Sequence, residues 1–356
     1  MTPATETLRT MYDFFVGALH EDELNTLTLH DHELDGTASD CSTIQIAAFF
    51  AYMNNIDLAP DGALQAHRLL LSVVQRTKCD DWFRIPYNAP LGGHGAVDLA
   101  EFGAAATSAG YLAEHCSEDL GRLLLNSMAE AVEKFENSER AGAYSKNSAA
   151  TLFDVLNGDL YAALVNVVAY RTCGRTSYLH KASATIRHLI GRFDRETAQW
   201  PYSEDWSGGT LVGMSVAYQA TITGWGRILI QDLPPVLGKE WSGVLAAAEF
   251  ELIRQVKLGR DVHNEAPSWV SPWEKVWEIW QAFSLCEEND FTESWTRKGI
   301  FDLECGIDEL GTDYFIDSRP TRPGRTVLGS RIRTGANVVS VLMSIEEAQR
   351  SWQSTT

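Results

Sequence analysis

Apolar residues recur along most of this chain at helical spacing. Leu8, Met11, Phe14, Phe15 and Leu19 share one face of a helix predicted over residues 6–19, as a 3.6-residue period requires. A polar stretch follows over 21–40, and Ser39 or Asp40 is placed to cap the next helix with a side-chain oxygen. That helix, over 42–54, is apolar nearly all round (Ile44, Ile46, Ala47, Phe49, Phe50, Met53), so it is expected to be buried on more than one side. Leu64, Leu69, Leu71 and Val74 mark a helix over 61–76, and alanine-rich and mixed helices are predicted over 96–109 and 117–135. Tyr161, Leu164, Val165 and Val168 begin a further series. Leu179, Ala182, Ile186, Leu189, Ile190 and Phe193 continue it, then Leu211, Met214, Ala217, Tyr218, Ile222 and Trp225. Helices over 238–256, 276–285 and 337–352 complete the pattern. Residues 313–333, with Tyr314, Pro320, Pro323 and Gly324, read as extended or hairpin structure.

The helices come in pairs, and alternate connections are long and rich in aromatic residues, Gly and Pro. The clearest are 79–95, 197–209 and 263–273. Helix pairs stacked in sequence build a solenoid, or a ring when the turn per pair is large. The expectation is one all-α domain over 1–356, with 313–335 as an extended appendage.

Composition narrows the function classes. The chain has 356 residues, 45% hydrophobic and 22% charged, with 48 acidic and 29 basic residues giving a formal net charge of −19. That surface repels polyphosphate, so no nucleic-acid partner is expected. No apolar run approaches the ~20 residues that span a bilayer, and the N-terminus lacks the pattern of a signal peptide, so no membrane partner is expected either. Six scattered cysteines without a C-x-x-C pair read as reduced thiols of a cytoplasmic protein. The expected partner is a small-molecule substrate; the oligomeric state does not follow from the sequence.

The helix ending Ile186-Arg-His-Leu-Ile190, followed by Arg195-Glu-Thr-Ala-Gln-Trp-Pro-Tyr202, resembles a recurrent unit of α/α toroids. Residues 157–170, from Asn157-Gly-Asp to Tyr170, look like the inner helix of such a hairpin. The resemblance implies an α/α toroid of helical hairpins. It implies a carbohydrate-active enzyme of glycoside hydrolase, epimerase or lyase type, since six-hairpin enzymes of those kinds share the unit. A Gln-Trp signature also occurs in terpenoid cyclases, which makes a cyclase or isomerase the alternative, and a non-catalytic helical scaffold the second. The Asp-x-Asp-Asp acid motif of one cyclase class is absent. Cys79-Asp-Asp-Trp-Phe-Arg84 is no diphosphate-metal motif, and no catalytic motif of the sugar enzymes matches residue by residue.

Candidate chemistry sits in the connections. Tyr202, Glu204 and Asp205 lie between Trp200 and Trp206; aromatic faces stack on sugar rings, and two carboxyls in different environments divide acid and base roles. The competing reading is a solvated loop with its tryptophans packed beneath. His94, in Gly92-Gly-His-Gly-Ala-Val-Asp98, is a candidate proton shuttle, with Tyr87 and Asn88 upstream as substrate contacts. Asp40 is either a helix cap or a catalytic carboxylate. His263 and Trp269 belong to a third aromatic loop, a pocket lip or packing. His30, Asp31, His32, Glu33 and Asp35 carry metal-binding atoms but no third ligand at fixed spacing, so neither metal nor cofactor is expected. Arg319, Arg322, Arg325, Arg331 and Arg333 suit an anionic ligand or, on the other reading, an internal clamp to the acidic body.

Overall fold

The computed structural model describes residues 3–23, 26–33, 36–80, 83–85, 88–89, 93–94, 97–147, 149, 151–258, 277–286, 289–315 and 330–353. Among them run twelve α-helices: α1 (Thr5–Gly17), α2 (Asp40–Asn55), α3 (Gly62–Asp80), α4 (Leu99–His115), α5 (Glu118–Glu133), α6 (Leu156–Cys173), α7 (Thr176–Arg192), α8 (Val216–Leu229), α9 (Pro235–Lys257), α10 (Trp277–Leu285), α11 (Asp290–Leu310) and α12 (Arg331–Gln353). Eight short strands join them: β1 (Leu19–Glu21), β2 (Leu27–Asp31), β3 (Gly36–Thr37), β4 (Asn88–Ala89), β5 (Gly93–His94), β6 (Phe153–Val155), β7 (Ser203–Asp205) and β8 (Thr210–Val212). They form antiparallel sheets β1-β2-β3, β4-β5 and β6-β7-β8. No described helix is long and apolar enough to cross a membrane. All six cysteines are described, and none is in a disulfide.

Every helix anticipated from periodicity is present, but the one anticipated from Leu211 begins only at Val216, with Leu211 in β8 and Met214 ahead of the helix. Helix α11 is additional: Ile300, Leu303 and Ile307 are its buried stripe, a narrow one set among Lys298, Asp302 and Glu304. The tail departs from the extended expectation where it is described. Residues Gly311–Phe315 form a 3-10 helix and Arg331 opens α12; 316–329, with Arg319, Arg322 and Arg325, lie outside the described residues. Arg331 acts as a clamp, 2.5 Å from Glu33 and 3.0 Å from Asp313.

The chain divides into two compact units, one of residues 1–97, 104–127 and 297–356, the other of 98–103 and 128–296. In the first, α2 packs on α3 and α12. Its run from Asp40 to Met53 is buried throughout, as an all-round apolar helix requires. Ser39 takes the cap, its Oγ accepting from Ser42 N at 3.0 Å. Asp40 is thereby released to pair with Arg76 and to accept from Arg84 N at 2.7 Å.

In the second unit, α6 packs on α7 and α8, and α8 packs on α9 and α10. Helix α6 is buried on every side from Leu156 to Ala169. Gly103 of α4 makes room for the Tyr161 ring of α6, since a Cβ there would collide with the ring. The same absence of a side chain at Gly224 brings α8 close to Ala282 of α10.

The polar aromatic loop expected at 197–209 contains strand β7 and its turn into β8. In the β6–β7 pairing Asp154 stands directly opposite Glu204. Like charges in that position repel, and both are buried. Three cations compensate. Arg192 lies 2.5 Å from Glu204, Arg140 lies 3.4 Å from Asp154 and 3.9 Å from Glu204, and His188 lies 3.0 Å from Asp154 and 3.3 Å from Asp159. Burial presses the His188 imidazolium down, but its bonds to Asp154 and Asp159 outweigh burial and hold it up at about 9. Burial, and then the charge of Asp154, push the Asp159 carboxyl well above its ordinary range.

Two stability predictions follow from these contacts. Gly103→Val lowers unfolding free energy by about 1–3 kcal/mol through overpacking, whereas Gly17→Ala, with nothing within 4 Å of the added carbon, stays within about 1 kcal/mol of the parent. Arg192→Leu, which strands Glu204, costs about 3–5 kcal/mol in urea titrations. Adding Glu204→Leu restores at least half of that loss; a fully additive double variant contradicts the ion-pair account.

Candidate active site

The residues named from the sequence separate into different environments. Glu204 is committed to Arg192 and Arg140 as described. Asp205, its neighbour on β7, faces outward and holds the following turn. Its Oδ1 accepts from Ser207 Oγ at 2.5 Å, Ser207 N at 2.8 Å and Gly209 N at 2.9 Å. Those bonds, the Ser207 hydroxyl first, hold its carboxyl below the ordinary range, so it stays an anion at neutral pH. The pair therefore does not share one site. Asp40, in the other compact unit, is engaged by Arg76 and Arg84.

Trp200 is a core residue, not an open stacking platform. Only 2% exposed, it donates from Nε1 to Leu189 O at 2.8 Å and packs against Phe193 and Trp241 at ring distances of 4.6 and 5.8 Å. Trp206 is partly exposed, tied to Thr151 O at 2.9 Å. Asn88 and His94 are backbone partners across β4 and β5. Tyr87, His263 and Trp269 lie outside the described residues. His30 and His32 stack edge to face at 4.5 Å. The acid and histidine group with metal-like spacing among the described residues is instead Asp154, Asp159 and His188, all donor atoms within 4.8 Å. In this structure the three make ion pairs with one another and with Arg140 beside the sheet.

Tyr202 leads to a second polar cluster. Its ring stacks on Tyr218, centroids 4.5 Å apart and planes 28° from parallel. The two help line a small hollow with Asn157, Trp200, Pro201, Ser215, Gln219 and Ile222. Asn157 lies in the first turn of α6, Ser215 precedes α8 without a side-chain cap bond, and Tyr218 and Gln219 lie in the first turn of α8. Glu278 stands in the first turn of α10, and Asp98 and Glu101 begin α4. Four helix starts thus supply polar groups to one region.

The electrostatics distinguish this cluster from the ion pairs of the sheet. Burial pushes the Glu278 carboxyl up to about 7, and its Oε2 has no hydrogen-bond partner among the described residues. Burial, and then the charge of Glu278, raise the Tyr161 hydroxyl far above its ordinary range. Burial, then Tyr202 and Glu278, do the same to Tyr218. Both tyrosines therefore remain protonated donors. Lys146 lies 3.6 Å from Asp98, both buried. Burial presses its ammonium down, but Asp98, Tyr202 and Glu101 outweigh that and hold it above its ordinary value. Asp98 Oδ2, Asn157 Oδ1 and Ser215 Oγ are likewise buried without a hydrogen-bond partner among the described residues. Buried polar atoms in native proteins are nearly always satisfied, by protein groups or by ordered water, and of these orphans Asn157 and Ser215 line the hollow directly.

Sequence reasoning named Tyr202 here and passed over Glu278, Lys146 and Glu101. It took Tyr161 and Tyr218 as core positions. The signal available was positional: polar residues gather in the first turns of α4, α6, α8 and α10, ahead of otherwise apolar stretches.

No protein-family model and no curated protein matches the sequence. Solved structures do. Cellobiose 2-epimerase from Spirochaeta thermophila is similar at 12% identity and a TM-score of 0.58, covering 96% of this chain and 98% of that one. Unsaturated glucuronyl hydrolase from Bacillus sp. is similar at 11% and 0.55, covering 98% of this chain and 95% of that one. D-mannose isomerase is similar at 10% and 0.57, covering 96% of both chains. Identities this low establish fold: the chain is an all-α protein of the α/α-toroid class.

Proposed function

We propose that this protein is a carbohydrate-active enzyme acting by acid–base chemistry on a small saccharide, with its site among the polar groups at the starts of α6, α8 and α10 and with Glu278 as the proton-transferring group. The observation that carries the reading is Glu278 itself, a buried carboxyl pushed up to about 7 by burial, whose Oε2 has no hydrogen-bond partner among the described residues. A group that titrates near the working pH is present in both protonation states, so it can take a proton in one step and return it in the next. Hydrolysis, epimerisation and lyase chemistry on sugars all draw on such a group. Tyr161 and Tyr218, held protonated, donate to sugar oxygens, and Asn157, Ser215 and Gln219 read hydroxyls. The stacked Tyr202–Tyr218 pair gives the region an aromatic wall.

The similar structures support the substrate class, since they are named as a cellobiose epimerase, a mannose isomerase and a hydrolase degrading glycosaminoglycan. A terpenoid cavity is disfavoured by the lining: Asn157, Ser215 and Gln219 would quench a carbocation that an apolar sleeve protects. A passive scaffold is disfavoured because it has no reason to keep a buried acid that titrates near neutrality at its packed helix starts. Six cysteines outside disulfides suit the cytoplasm, the expected setting.

Turnover provides one test, on a panel of mannose, glucose, cellobiose and unsaturated glucuronyl disaccharides. On whichever sugar is processed, Glu278→Gln lowers kcat about 10²–10⁴-fold, and the parent's kcat/KM shows a titration near 7. Undiminished turnover in Glu278→Gln would sink the assignment. Stability provides another. The folded carboxyl titrates above its ordinary 4.5, so the native state binds more protons than the unfolded chain between 4.5 and about 7, and stability falls as pH rises through that window. Glu278→Gln removes the penalty. Its advantage is absent at low pH, grows to about 3 kcal/mol at most above pH 7, and is read from denaturation midpoints at pH 5 and 8.5.

A further inference from the structure

We propose that two copies of this chain associate through the outward face of α9, the two helices packed antiparallel about a two-fold axis at Ala247. This association does not depend on the sugar chemistry proposed above.

Helix α9 buries Leu237, Trp241, Val244, Leu245, Ala248 and Leu252 and packs on α7 and α8 with that side. Its other side is apolar as well. Val236, Gly243, Ala247, Phe250 and Leu258 follow one another at three- and four-residue steps or sums of them, so they share one stripe. Val236 is 84% exposed, Phe250 73% and Leu258 56%, and Gly243 and Ala247 are exposed between them. Single exposed apolar side chains are ordinary, but large ones in line with small ones between them make a contiguous strip of the kind that marks an interface.

The shape of the strip makes a second copy the occupant. In an antiparallel pair centred on Ala247, Val236 falls on the second copy's Leu258, and Gly243 falls beside its Phe250. Each contact then occurs twice, as a two-fold interface requires. A Cβ added at Gly243 would meet nothing within 4 Å, so the backbone there is open to the close approach of a ring. Glycine is among the poorest helix formers, and neither space nor a positive φ requires it at 243 in the single chain. A contact that uses the missing side chain accounts for it.

Charge selects the same arrangement. Glu240 and Arg254 lie on this stripe, their side chains 51% and 49% exposed. Antiparallel packing sets each against its opposite on the second copy, whereas parallel packing sets like on like. Glu240 lies 3.8 Å from Arg195. Arg254 holds Glu251 with Nε and Nη2, bonds that do not use Nη1. Lys257, at the same end, rests over the Phe291 ring of its own chain at 4.7 Å. A strip about 34 Å long and about 10 Å wide, the dimensions of such a helix, falls short of the ~800 Å² per partner of a standard interface. The formal charge of −19 on each copy also opposes association at low salt. The dimer is therefore weak, forming in the micromolar range at moderate salt.

Sedimentation velocity on the full chain, over a series from low to high micromolar at moderate salt, is the experiment. The expected result is a reversible monomer–dimer equilibrium. Phe250→Ser and Gly243→Gln each weaken it at least tenfold. Gly243→Gln at the same time leaves the thermal midpoint unchanged or higher, because Gln is the better helix former. A background of Cys79→Ser and Cys305→Ser removes the exposed thiols. In it, Ala247→Cys gives a disulfide-linked dimer on mild oxidation. Val236→Cys does not, since its two copies lie about 33 Å apart in the antiparallel pair. A chain that stays monomeric throughout the series overturns the proposal. A dimer that neither Phe250→Ser nor Gly243→Gln weakens overturns it too, because association then uses another face. Crosslinking through Val236→Cys in place of Ala247→Cys contradicts the antiparallel arrangement.

Discussion

Taking a carboxylate out of water costs several kcal/mol unless a cation or a set of donors replaces the lost solvation. That constraint sorts the acids of the unit formed by residues 98–103 and 128–296. Asp154 and Glu204 face one another across two strands, an arrangement viable only because Arg140, Arg192 and His188 close around it. Glu278 has no ion pair among the described residues, and burial moves its titration up to about 7. The first set is stabilising architecture. The second is the group proposed above to work, because a carboxyl that changes charge near neutrality is ready to exchange protons and one locked to arginine is not.

The two sets are mechanically linked. Strand β7 leads from Tyr202 into Ser203 and Glu204, and Tyr202 N is bonded to Val212 O at 3.0 Å. The ion pairs that pin β7 thus fix the backbone from which Tyr202 reaches Tyr218. Tyr161 is fixed from the other side, because α4 approaches it through Gly103. The hollow is therefore preorganised by contacts that themselves take no part in chemistry, the usual support for a site that must hold donors and acceptors in place.

The helical frame was legible in the sequence because burial follows the 3.6-residue period, and the all-round apolar runs of α2 and α6 announced their depth. The Trp-Pro-Tyr turn stands beside the hollow, but its neighbours in sequence go to different environments. Trp200 is an aromatic in a loop that the fold returns to the core, and Glu204 and Asp205 are adjacent in sequence but alternate sides of a strand. Arg140 and Arg192 are distant in sequence from one another, so the pairing that neutralises Glu204 has no local signature. Glu278 was invisible for the opposite reason: a lone acid in the first turn of a helix reads as a favourable dipole contact, and only burial turns it into a titrating group.

The central claim of the proposed function is that Glu278 is a buried acid poised near neutrality among the helix starts that would bind a sugar. Its most direct test is a site-resolved carbon NMR titration of the Glu278 carboxyl, assigned by loss of the signal in Glu278→Gln. The account predicts a midpoint near 7 that moves when a saccharide binds. A midpoint near 4.5, indifferent to any sugar that binds, would contradict it.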